Sequence, residues 1–99
     1  MAQRRLNYVD FENYMRKQKL SPASIMKYAH NTPDKFDVQV IFDRLTGYSD
    51  MYAITSKILI ERVINAIRES DFDIVGQRMY SCGVKKYLKF LEDTGNVTK

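Results

Sequence analysis

The chain has one cysteine, one histidine and no tryptophan, and only two prolines and four glycines. A lone cysteine, Cys82, closes no internal disulfide, so no covalent staple holds the fold; cysteine use of this kind fits a reducing cytoplasm. Beside Gly83 on a helix, Cys82 reads as a small buried packing residue, and no neighbour is placed to activate its thiol. One histidine and one distant cysteine have no metal-ligand spacing. His30, next to Asn31 where a helix ends, reads as a helix-terminal residue rather than a base. Asp34, Asp37, Asp43, Asp71 and Asp73 suit caps and turns, without the pairing that general acid–base chemistry needs. Phosphate-cradling glycine loops are absent as well. An enzyme, a cofactor and a metal are therefore not expected. Behind Arg4-Arg5 there is no apolar run, which argues against a signal peptide, and no stretch is long enough to span a membrane. A cytoplasmic protein is expected.

With 99 residues, 44% of them hydrophobic and 28% charged, the chain suits one domain with one core. No repeat, linker or low-complexity tract divides it. Apolar spacing at three and four residues predicts five helices. The first runs from about Tyr8 to Lys17, with Tyr8, Phe11 and Met15 on one face and Arg16, Lys17 and Lys19 at its carboxyl end. Ser21 and Pro22 start the second, as cap and first helical residue. Ile25, Tyr28 and Ala29 point inward, and Asn31-Thr32-Pro33 stops it. The third spans Phe36 or Asp37 to Leu45, with Val38, Ile41, Phe42 and Leu45 inward, although Val38 and Val40 also suit a strand. Residues 46–50 read as a turn. Met51-Tyr52-Ala53-Ile54 reads as a short extended segment for which no partner strand is identified. Thr55 or Ser56 caps the fourth helix, which buries Ile60, Val63, Ile64 and Ile67. A loop, 70–76, is pinned by Phe72 and Ile74. The fifth helix runs from about Gln77 to Glu92, turns Tyr80, Val84, Tyr87, Leu88 and Leu91 inward, and closes at Gly95. The expected fold class is an all-α bundle of four to five short helices, with one short extended segment near 51–54.

Charge is unevenly spread around a net of +4. Residues 1–33 hold six bases against two acids, 34–73 five against eight, and 74–99 five against two. Basic ends therefore flank an acidic middle, and if the ends pack together they make one positive face. In the fifth helix Arg78, Ser81, Lys85, Lys86 and Lys89 precede the first acid, Glu92. Like charges at this spacing repel slightly, which phosphates lying opposite offset by releasing condensed counterions. Lys17, Lys19, Ser24 and Lys27 make a second acid-free group, in which Ser21 is either a cap or a phosphate contact. The bland alternative is a solvated lysine face. The expected DNA-binding residues are Lys17, Lys19, Ser24, Lys27, Arg78, Ser81, Lys85, Lys86 and Lys89. The partner expected is duplex DNA with weak sequence preference, because lysine is a point charge better suited to backbone than to guanine edges. The alternative is a protein-interaction or oligomerisation module, using Met26, Tyr48 and Phe90 off the core stripes.

Two stretches carry a family likeness. Phe11-Glu12-Asn13-Tyr14-Met15, followed by Leu20-Ser21-Pro22-Ala23-Ser24-Ile25-Met26-Lys27-Tyr28, resembles the opening of the core-binding domain of tyrosine recombinases and phage integrases. Met79 to Glu92 resembles that domain's last helix. The chain is also similar, over nearly its whole length, to a helical segment at the amino end of some restriction endonucleases. Shared features there are a stretch like Met51-Tyr52-Ala53-Ile54-Thr55 before a helix, an aspartate–phenylalanine loop and a tyrosine–serine start to the final helix. The resemblance implies a SAM-like helical fold from a mobile-element or restriction/defence system. It also implies DNA contact by the second and last helices, which here carry Ser24, Lys27, Lys85, Lys86 and Lys89. The recombinase catalytic domain and any nuclease motif are missing, so no strand transfer is implied. A larger parent protein or a protein partner is compatible with this reading.

Overall fold

A computed structural model describes residues 2–48 and 51–98, with the side chains among them except those of 2–7 and 31. The side chains of Arg4 and Arg5 at the basic amino end, all of Lys99, and the Ser49-Asp50 part of the turn at 46–50 lie outside what is described. The fold is an all-α bundle. Helix α1 (Ala2–Lys17) begins earlier than the apolar spacing indicates and buries Phe11 and Met15. Its end is closed by paired bonds from Lys19 N to the Arg16 carbonyl and from Leu20 N to that of Met15. Lys19 sits there at φ 63, the left-handed position usually given to glycine.

Helix α2 (Pro22–Met26) starts as expected, with Ser21 Oγ accepting from Ser24 N at 3.2 Å. It does not stop at residues 31–33. The chain widens into a π-turn (Lys27–Asn31) and continues as α3 (Thr32–Asp34). Pro33 is the cause: it has no N–H for the Ala29 carbonyl, and an ordinary α-turn would press its ring against that oxygen. A wider turn gives room. Tyr52 Oη donates to the Ala29 carbonyl at 2.5 Å, and Thr32 Oγ1 donates to that of Lys27 at 3.1 Å.

Helix α4 (Phe36–Thr46) settles the strand-or-helix question as helix, burying Val38, Ile41 and Phe42; Gly47, left-handed at φ 80, ends it. The extended segment expected at 51–54 is a 3-10 turn instead (Met51–Ala53), closed from Ile54 N to the Met51 carbonyl at 3.1 Å. An isolated strand leaves its backbone unpaired, whereas a tight turn pairs itself and still turns Met51, Tyr52 and Ile54 into the core. Helix α5 (Lys57–Arg68) is capped by Ser56 and buries the four residues expected of it. The 70–76 loop is largely a short helix, α6 (Asp71–Val75). Alternate residues share a face in an extended loop but lie about 200° apart on a helix. Phe72 therefore packs on the core while Ile74 is 56% exposed, and Asp73 is fully buried.

Helix α7 (Met79–Asp93) turns Val84, Tyr87, Leu88 and Leu91 inward, with Tyr80 half-buried. Two expectations fail on it, for Phe90 and for Cys82. Phe90 is buried, 2% exposed, against Phe11 and Tyr14; Cys82 faces solvent; Gly83 takes the interior place. At the centre, Phe11, Tyr52 and Tyr87 meet with ring centroids 5.4–6.2 Å apart, and Tyr87 Oη donates to the Ile54 carbonyl at 3.0 Å. The tyrosines thus bury their rings and satisfy their hydroxyls.

Gly83 fits where α7 crosses the 22–34 stretch. A Cβ there would come within 2.5 Å of Thr32 Oγ1, and Thr32 is itself wholly buried. Alanine favours a helix over glycine by about 1 kcal/mol, but the overlap outweighs it. Gly83→Ala is expected to destabilise the fold by about 1–3 kcal/mol, measured by urea unfolding followed by circular dichroism. A more stable variant would mean that the two helices separate at no cost.

Candidate nucleic-acid interface

Two contacts align the basic segments. Gly83 lies against Thr32, and Lys86 Nζ sits 5.4 Å from the centre of the Tyr28 ring. Residue numbers rise in opposite directions through these contacts, so α7 runs antiparallel to the 22–34 stretch. A lysine over an aromatic face is held by the ring quadrupole. Lys85 is exposed, and on the neighbouring element Lys27, which precedes Tyr28, is exposed too. Neither has an ion-pair partner among the described residues. Ser24 is half-buried, and its hydroxyl accepts from Ser21 Oγ at 3.1 Å.

Other expected site residues stand elsewhere. Ser81 is 3% exposed; its hydroxyl donates to Asp73 Oδ2 at 2.9 Å, and its N–H reaches Oδ1 at 3.0 Å. It serves the interior and presents nothing to a ligand. Arg78 is about half exposed but turned toward Asp73 Oδ2 at 3.4 Å and the Arg68 carbonyl. Together these donors compensate the buried Asp73 carboxylate and join α6 to the start of α7. Gln77 and Arg78 make the joint with left-handed backbones at φ 56 and 66.

Lys89 is 65% exposed and pairs with Asp93 Oδ1 at 3.4 Å. Asp93 Oδ2 accepts from Tyr14 Oη at 2.6 Å. This bond, chiefly, and Lys89 hold the Asp93 carboxyl below the usual carboxylate range, so it is anionic at neutral pH. Burial, and then Asp93, push the Tyr14 hydroxyl up. Glu92 pairs with Lys57 at 3.2 Å. The exposed face of α7 is thus cationic at Lys85 and Lys86, balanced at Lys89 and closed by two carboxylates. Lys17 and Lys19 are exposed at the end of α1, past the Tyr14–Asp93 seam.

A polar group that charge counting does not reveal lies between α1 and the π-turn. His30 is half-buried inside that turn, not at a helix end, and its Nε2 meets Tyr8 Oη and lies 3.4 Å from Glu12 Oε2. Tyr8 and Glu12 are four apart on α1, a spacing that signals a shared face. Burial, then Glu12, raise the Tyr8 hydroxyl, which keeps it a neutral donor. Alongside runs a groove of about 360 Å³ lined by Glu12, Arg16, Leu20, Pro22, Ile25, Met26 and His30. Both ring nitrogens of His30 lie within 3.3 Å of Tyr8 Oη; the group fastens two helices.

Among the described residues, no helix is long and apolar enough to cross a membrane, and no cluster of three acidic, histidine or cysteine side chains is placed to hold a metal. Comparison with family models, curated proteins and solved structures gave no match.

Ser81→Ala separates an interior role from a surface one. It removes one donor from a buried carboxylate and is expected to cost about 1–3 kcal/mol in stability, read by thermal unfolding, without weakening DNA binding. A variant of unchanged stability that binds DNA less tightly would return Ser81 to the surface.

Proposed function

We propose that the protein is a non-catalytic DNA-binding module that grips duplex phosphates with Lys27, Lys85, Lys86 and Lys89. The observation that carries this is the seating of Lys86 over Tyr28, which joins the cations of α7 to the 22–34 stretch. Lys85 and Lys89 are one helical turn apart, a rise of about 6 Å. That compares with about 3.4 Å of axial rise per phosphate on one strand, so the pair subtends about two phosphates. Long flexible ammonium arms suit backbone contact and read bases poorly. The resemblance to recombinase core-binding domains and to amino-terminal segments of restriction endonucleases supports the same two helices as the DNA-facing pair. It is also the ground for a mobile-element or restriction setting and for a SAM-like fold.

A protein-interaction role is the second reading. Of the three residues expected to make its patch, Met26 and Tyr48 are more than half exposed, whereas Phe90 is buried. What favours this reading now is α4, where Phe36 and Val40 lie four apart, 73% and 46% exposed.

The triple variant Lys27→Ala, Lys85→Ala, Lys86→Ala tests the DNA reading by fluorescence anisotropy with labelled duplexes at 50 and 200 mM salt. Affinity is expected to fall about tenfold or more, equally for unrelated sequences, and the log–log salt slope to flatten by about two to three units. A folded triple variant binding as tightly as the parent would rule out this face.

A further inference from the structure

Lysines of α7 do not all stand in the same state. Lys85 has no carboxylate partner among the described residues, Lys86 is lodged on Tyr28, and Lys89 is shared with Asp93. A mobile surface carboxylate would swing aside when a phosphate arrives. Asp93 is not mobile in that sense, because Tyr14, on a different helix, holds its other oxygen at 2.6 Å. Tyr14 is in turn packed against Phe90, with ring centroids 5.5 Å apart. The carboxylate, itself exposed, is therefore tethered across the α1–α7 seam. It stays beside any strand that runs along α7 toward its carboxyl end.

We propose that Asp93, positioned by Tyr14, is the residue that ends the DNA footprint at Lys89. This rests on the DNA reading above and adds what limits the contact. A phosphate drawn to Lys89 meets the anchored Asp93 carboxylate on the ammonium's other flank, so Lys89 contributes only part of its charge. Glu92, one position earlier and paired with Lys57, extends the barrier. Phosphate contacts are confined to the cations before this barrier, and Lys17 and Lys19 are cut off from the same strand path.

The test is Asp93→Asn in the full chain, with duplex anisotropy measured across a salt series. Asparagine keeps an acceptor for Tyr14, so the fold is retained, and a melting curve checks this. Affinity is expected to rise about threefold or more at 50 mM salt, with the salt slope steeper by about one unit as Lys89 takes a full phosphate contact. Asp43→Asn, the same charge change on the exposed side of α4, is expected to stay within about twofold of the parent, where general electrostatic attraction alone would act. Adding Lys89→Ala to Asp93→Asn is expected to abolish the gain. Tyr14→Phe, which frees the carboxylate to turn away, is expected to recover part of it. If the parent binds DNA through Lys85 and Lys86 but Asp93→Asn does not tighten binding, the barrier is refuted and the DNA reading stands. A gain that survives loss of Lys89, or one matched by Asp43→Asn, also refutes it. If the parent does not bind duplex at all, both fall together.

Discussion

The close approach of α7 to the 22–34 stretch at Gly83 is the constraint on which the rest of the molecule depends. A missing side chain lets Thr32 fill the space that a Cβ would take. Once the helices are that close, Lys86 reaches Tyr28 and Tyr87 meets Tyr52 and Phe11. The π-turn belongs to the same arrangement. Pro33 opens the backbone, Tyr52 occupies the carbonyl left unpaired, and Thr32 arrives opposite Gly83. A packing requirement in the interior thereby sets which cations share the surface.

Much of this was readable from residue spacing, and the failures have a common physical origin. Long amphipathic runs such as Ile60, Val63, Ile64 and Ile67 give one answer, because burying that stripe dominates local preferences. So does Ser21-Pro22, whose cap chemistry is local. Short segments fail because their state is chosen by partners distant in sequence. Residues 51–54 have no strand to pair with and close on themselves. Asp73 is interior because Ser81 and Arg78 supply its donors, an arrangement five and eight residues away that a charge count treats as surface. Phe90 is buried because α1 sets Phe11 and Tyr14 against it, so α7 has a wider buried arc than a single stripe, and Cys82 lies outside that arc.

The basic surface shows the same limit. A count of charges along the chain identifies lysines at both ends but not their partners. The fold separates them by function: Ser81 and Arg78 are drawn into the support of a buried carboxylate, and Lys89 is partly neutralised. What remains most available is Lys27 with Lys85 and Lys86. His30, Tyr8 and Glu12 join α1 to the π-turn that carries Lys27 and Tyr28, so the presentation of the cationic face is backed by a polar fastening as well as by the core.

Titration of a labelled chain with duplex DNA, followed by amide chemical shifts, addresses the central claim most directly. The expected result is a contiguous set of perturbed amides spanning 24–28 and 82–89, fading as salt is raised. Perturbations gathered instead around Phe36 and Val40, or along the groove beside Met26 and His30, would contradict the assignment of the α7 lysine face to DNA. So would an absence of any change at low salt.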